Sequence, residues 1–133
     1  MNTTHFLNRV AGNLFGTATT PALPTTYYIG LSTTAPTAAG GNVSEPASSA
    51  GYKREALTNL SAPVNGVVSN TANISFEEST ASWGTITHFV IYDAATGGNL
   101  LMYGALTAPR TVEAATVMVI RQNYLKLSAQ DPS

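Results

Sequence analysis

The side chains that could do chemistry are few, and the two histidines, His5 and His88, are the only imidazole groups. A zinc site needs three or four ligands, and neither histidine lies in a cluster of histidine or acidic residues. His88, Asp93 and a serine would make a hydrolytic triad, but the chain has no G-x-S-x-G nucleophile elbow. Five residues along a strand also place His88 and Asp93 on opposite faces. We therefore interpret His88 as a residue that hydrogen-bonds a neighbour at a strand or subunit contact.

The carboxylates and glycines indicate no reaction either. Glu77 and Glu78 are adjacent, and successive strand residues point to opposite faces, so we interpret them as a solvated loop rather than an acid–base pair or a calcium site. Asp93 precedes the TGGN run at residues 96–99, which is typical of an Asx turn whose glycines take positive φ. A phosphate-binding loop would need a lysine and a following helix. The sequence thus predicts no catalytic residue, no metal and no cofactor. We expect that the protein is not an enzyme.

Charge is scarce in the 133 residues, of which 10 % are Asp, Glu, Lys or Arg, against about 25 % in a typical domain. The net charge is −1 and the six basic residues are scattered, so no basic patch indicates nucleic acid. There is no cysteine for a disulfide or a thiolate site. No apolar run approaches the ~20 residues that span a membrane. Such a chain builds its surface from Thr, Ser, Asn and Gly, or covers it with partners.

Residues 1–16 carry apolar side chains at helical spacing, which predicts a short amphipathic helix. Thr3 or Thr4 can cap its start and Gly16 can end it. A helix this short is marginal alone in water, so it must dock, either on its own domain or on a neighbour as an anchor. Its apolar residues are candidate interface residues: Phe6, Leu7, Val10, Leu14 and Phe15.

Residues 17–133 are predicted to form a single all-β domain, an antiparallel β-sandwich of the jelly-roll-like kind. Short strand-like segments alternate with Gly and Pro turns. The turns are expected at Ala62-Pro63, Asn65-Gly66, the TGGN run and Ala108-Pro109, and the last strand at 116–128. The loop at 32–51 is small and polar, and it is either a mobile surface loop or an arm that orders on a neighbouring subunit.

The segment 82–94 is apolar on both of its expected faces, so its second face needs a cover. Strict alternation assigns three residues to one face, Trp83, Phe89 and Ile91, and three to the other, Ile86, Val90 and Tyr92. The helix or a neighbouring subunit would supply that cover, which adds Trp83 and His88 to the candidate interface. The aromatic residues could also form a sugar platform, but their apolar neighbours favour core or subunit contacts.

The runs "ASWGT" and "THF" within residues 81–89, and "DAATGGNL" at 93–100, resemble a family of small tailed-bacteriophage proteins. These are described as tail-fibre-like or virion accessory proteins, and the resemblance covers about residues 4–128. It implies a non-enzymatic structural protein on the exterior of the virion, assembled in the bacterial host cytoplasm. The protein would be a head decoration or cement protein, or a tail-fibre component, that acts through subunit contacts.

The partners that the resemblance implies are copies of the chain itself and other virion proteins, such as the major capsid or tail proteins. Homo-oligomers usually close symmetrically, and a homo-trimer is expected for a fibre or capsid knob. Neither nucleic acid nor a membrane is expected as a partner. The alternative is a carbohydrate-binding host-adhesion module that binds a glycan of the host surface.

Overall fold

The architecture is described by a computed structural model over residues 2–16 and 26–127. The elements in chain order are α1 (Thr4–Phe15), β1 (Tyr27–Ser32), a 3-10 turn (Ser48–Ala50), β2 (Glu55–Leu57), β3 (Val68–Ser69), β4 (Ile74–Ser75), β5 (Gly84–Tyr92), β6 (Leu100–Val112), β7 (Val119–Ile120) and β8 (Lys126–Leu127). Every strand pair among these is antiparallel, which confirms the predicted all-β fold with a short N-terminal helix. The predicted start of the β-domain at residue 17 lies outside the described residues.

The largest sheet has four strands in the order β2-β1-β5-β6, and the ladders β3–β8 and β4–β7 form two smaller sheets. The main core joins these layers. Ile29, Leu31 and Ile91 of the large sheet are fully buried and pack in one cluster with Ile120 of β7 and Leu125 beside β8. The fold is therefore sandwich-like, as the alternation of short strands and turns indicated.

The second face of the large sheet is covered by the chain itself. A second buried cluster lies there, formed by Val90, Tyr92, Leu100 and Tyr103. Val43 from the 32–51 loop packs against this cluster. The loop is tied by its own hydrogen bonds, from Thr33 N to Ser44 O and from Thr37 N to Gly41 O, each 3.0 Å long. Part of the loop is therefore held by contacts within one chain, and neither of the two alternatives, a mobile loop or a neighbour-bound arm, is tested by these contacts.

The helix starts at the edge of the large sheet. Thr3 caps its first turn and Gly16, at φ 62°, ends it, as the sequence predicted. Thr3 N donates to Leu101 O at 2.9 Å, and Asn2 forms an antiparallel bridge with Met102. Residues 2 and 3 thus occupy part of the free edge of β6, and α1 docks on its own domain, one of the two alternatives that the sequence left open.

A β-bulge breaks the regular alternation of β5. Between the register pairs Ile86↔Arg110 and His88↔Ala105, one residue of β5 faces four residues of β6. The bulge turns Ile86 into the main core together with Ile91. The assignment of Ile86 to the second face was therefore wrong, because alternation of period 2 holds only where the ladder is regular.

The same bulge contains Ala108-Pro109, where the sequence predicted a turn. β6 instead continues through both residues to Val112. A proline has no N–H to donate to a ladder, so it is tolerated on edge strands and in bulges. β6 is the edge strand of its sheet, and Pro109 satisfies both conditions.

The single strand predicted at 116–128 is also wrong, because β7 and β8 are separate strands with a turn between them. Asn70, which is fully buried, holds that turn. Its Nδ2 donates to Arg121 O at 2.8 Å and its Oδ1 accepts from Leu125 N at 3.0 Å. Asn123, at φ 69°, supplies the reversal.

Candidate functional site

His88 does not join a catalytic triad. Its Nδ1 lies 2.8 Å from Thr87 Oγ1, on the neighbouring residue, and burial lowers the pKa of its imidazole. Asp93 is bonded elsewhere, as described below. In the two described segments, no three His, Asp or Glu side chains come together as metal ligands. No described helix has the length and apolar character needed to cross a membrane.

Asp93 organises the turn between β5 and β6. It accepts hydrogen bonds from Asn99 N at 2.8 Å, from Asn99 Nδ2 at 3.1 Å and from Arg9 Nη1 at 3.0 Å. Burial by itself would raise the pKa of Asp93, but the hydrogen bonds from Asn99 and the charge of Arg9 outweigh burial and lower it. Gly97 and Gly98 take φ of 62° and 75°, which confirms the predicted Asx-type turn.

Arg54 holds the same turn from another side, in a polar cluster that sequence reasoning missed. Its guanidinium forms a two-pronged ion pair with Glu45, with N···O distances of 2.7 and 3.0 Å. Its Nη1 also donates to the backbone oxygens of Ala94 and Gly97, each at 2.8 Å. The guanidinium lies 3.6 Å over the ring of Tyr92. Because the partners are 38 or more residues away or lie in the small-residue loop, no local pattern signals this cluster.

Tyr52 completes the cluster. Its hydroxyl donates to Glu45 and accepts from Leu31 N at 3.0 Å. Burial and then the neighbouring Glu45 raise the pKa of Tyr52 well above its usual range. Gly30 lies next to these two side chains. A Cβ added at Gly30 would come within 2.9 Å of a Glu45 oxygen and still closer to the Tyr52 hydroxyl. We call Glu45, Tyr52, Arg54 and Tyr92 the Arg54 cluster, and its contacts are structural rather than reactive.

The seven candidate interface residues lie in different environments. Phe6 and Trp83 are 6 % and 4 % exposed, and the Trp83 ring packs edge-on against Tyr52 while its Nε1 donates to Ala50 O. Leu7, Val10 and His88 are half-buried. Leu14 and Phe15 are each 72 % exposed. The interface thus stays a prediction, and in the single chain its accessible apolar part is the last turn of α1.

A groove beside the β6 bulge is a second surface that sequence reasoning did not find. We call it the bulge groove. It is lined by twelve residues, among them Phe89, Leu106, Arg110, Met118, Arg121 and Tyr124, and has a volume of about 190 Å³. The Tyr124 side chain stands 65 % exposed at this site. The groove depends on the bulge and on the break between β7 and β8, and neither was predicted.

The comparisons with known proteins agree with the sequence resemblance. The model of a family described as podophage GP4 fiber I protein gp80 matches residues 2–128. The match spans α1 and all eight described strands, and it confirms the resemblance to tailed-phage virion proteins. A search of curated proteins found no match. The chain belongs to the family of the podophage GP4 fiber I protein gp80, and the protein is a component of the phage virion.

Proposed function

We propose that this protein is a non-enzymatic fibre component on the exterior of a podophage particle, acting through contacts between subunits. The observation that carries the proposal is the family match over residues 2–128. Of the two locations that the sequence resemblance left open, a fibre role follows the family description more closely than a head decoration or cement role. Attachment to tail or major capsid proteins, and assembly as a homo-trimer, are parts of the proposal.

The described side chains support a structural role. The groups best suited to catalysis already have partners, since His88 bonds Thr87 and Asp93 bonds Asn99 and Arg9. The described surface offers exposed apolar residues instead, with Leu14 and Phe15 at the end of α1. Exposed apolar groups of this kind mark contact surfaces when they lie together.

Host adhesion through a glycan is the second candidate, and it rests on Tyr124. This ring is 65 % exposed and shares the bulge groove with Arg110 and Arg121, a combination that suits an acidic sugar. Trp83, the largest aromatic residue, is buried in the core and offers no platform. If the purified chain binds host cells and Tyr124→Ala abolishes binding with unchanged stability, the adhesion function is supported.

The test of the fibre role is immunogold electron microscopy of intact particles with an antibody against the full chain. We expect gold at regularly repeated positions on the fibres. A particle that carries gold only on the head would show a decoration protein instead. Particles without any gold, with the protein confined to the lysate, would contradict the whole proposal.

A further inference from the structure

The bulge groove has two cationic residues on a mostly apolar lining. Met118, Ile120 and Leu125 of its lining are buried, whereas Arg110 and Arg121 are exposed. The volume of about 190 Å³ lies below the ~300–1,000 Å³ of small-molecule pockets. The groove therefore suits one bulky side chain of a polypeptide better than a whole small ligand.

The two groove arginines have no ion-pair partner among residues 2–16 and 26–127. Three of the six basic residues form ion pairs, Arg9 with Asp93, Lys53 with Glu77 and Arg54 with Glu45. Within the described part of the chain, Arg110 and Arg121 form no ion pair and their side chains donate no hydrogen bond. In a chain this poor in charge, two such arginines in one groove indicate an occupant with negative character.

The end of α1 has the complementary properties. Leu14 and Phe15 are each 72 % exposed, and Gly16 ends the helix in the left-handed conformation. The last carbonyls of a helix carry a partial negative charge, and basic residues in the last turn usually offset it. The last turn of α1 contains none. The helix end thus combines a bulky apolar anchor with the partial negative charge of its carbonyls, which no basic residue of the last turn offsets.

We propose that the bulge groove of one copy binds the α1 end of a second copy, with Phe15 in the groove and Arg110 and Arg121 facing the terminal helix carbonyls. The inference rests on the proposed function, since it specifies the contact between subunits. The two surfaces are different patches of one chain, so the contact is heterologous. Contacts of this type close into rings when the rotation permits, and a three-membered ring would give the expected trimer.

The first experiment is sedimentation velocity of the full chain over a range of concentrations. We expect the wild type to self-associate. Phe15→Ser should weaken association about 10- to 100-fold, because a buried Phe contributes roughly 1.5–3 kcal/mol. Arg110→Glu combined with Arg121→Glu should weaken it at least tenfold. The matched controls are Val64→Ser, which removes an exposed apolar side chain elsewhere, and Lys126→Glu, which reverses a cation outside the groove lining.

The second experiment mixes the helix-end variant with the groove variant. Each variant retains the surface that the other lacks, so the mixture should form heterodimers while each variant alone stays monomeric. A monomeric wild type, a mixture without heterodimers, or controls as damaging as the variants would each overturn the inference. So would groove variants that lose binding to host cells but keep wild-type self-association. If the purified chain is monomeric but the antibody against it still labels the fibres, the proposed groove contact is contradicted and the fibre role is not.

Discussion

The four arginines of the chain separate into two pairs with different surroundings. Arg9 and Arg54 converge on the turn that joins β5 to β6, where their side chains are buried against carboxylates. Arg110 and Arg121 border the bulge groove and are exposed. A guanidinium that meets a carboxylate away from water adds charge-assisted hydrogen bonds to the fold, whereas an exposed one keeps its charge available to a partner. The comparison separates residues that maintain the domain from residues that can serve its contacts.

The largest loss of stability is expected from Arg54→Ala, which removes one of the two buried arginines. Loss of the guanidinium removes the cationic partner of Glu45, which among the described residues keeps only the Tyr52 hydroxyl as a donor, and it leaves the backbone oxygens of Ala94 and Gly97 without the Arg54 donor. Breaking a buried ion pair from one side costs about 3–5 kcal/mol, and urea unfolding of the purified chain measures this loss. Lys53→Ala is the control, because its pair with Glu77 is more than half exposed and is worth at most ~1 kcal/mol. Equal losses for the two variants would show that burial does not distinguish these pairs.

A smaller loss is expected from Gly30→Ala, which disturbs the Arg54 cluster without removing any charge. The new methyl group meets the Glu45 carboxylate and the Tyr52 hydroxyl. Overpacking of this kind costs roughly 1–3 kcal/mol, measurable as a lower melting temperature. Gly41→Ala is the matched control, since its Cβ would lie 3.5 Å from Thr37 Oγ1 at ordinary contact distance. If the Gly30 variant is as stable as the Gly41 variant, the Arg54 cluster accommodates the added methyl group without loss of stability.

The turn at residues 93–99 should also respond to pH. The folded-state pKa of Asp93 is lowered, so the unfolded chain binds more protons in acid. The contribution of Asp93 is therefore present above its unfolded pKa of about 4 and is lost as the pH falls through the folded-state pKa. Asp93→Asn should flatten the acid limb of a stability–pH profile measured by urea unfolding. An unchanged acid limb would show that other carboxylates account for it.

The smallest effect on stability is expected from substitution of the two exposed arginines. Arg110→Ala and Arg121→Ala remove side chains that have no partner in the described structure, and such surface changes usually stay within ±0.5 kcal/mol. Thermal unfolding of the two variants checks this expectation. If either variant loses as much stability as Arg54→Ala, the buried and the exposed arginines do not differ in their contribution to the fold.

Local chemistry explains which features could be predicted from the sequence. Thr3, Gly16 and Asp93 act on backbone within a few residues of themselves, and their roles as caps and as the Asx residue are confirmed. Asn65-Gly66 forms the predicted tight turn, with φ of 53° and 78° and paired hydrogen bonds between Val64 and Val67. Each of these features requires only a short segment and its own side chains.

The features that escaped prediction all depend on distant partners. Asn70 divides the last predicted strand through bonds to residues 51 and 55 positions away. The bulge that turns Ile86 into the core exists only in the register between β5 and β6. The bulge groove follows from both of these, so no pattern within one segment could reveal it.

The attachment of residues 2 and 3 to the edge of β6 has a consequence for the order in which the chain folds. Thr3 Oγ1 donates to Leu100 O across 97 positions. At a synthesis rate of about 5–20 residues per second, the helix leaves the ribosome roughly 5–20 s before its docking strand. Until then residues 2 and 3 and the helix that follows them cannot attach to β6 of their own chain. The spacing between these two segments therefore makes the docking of α1 a late event, which follows the synthesis of β6.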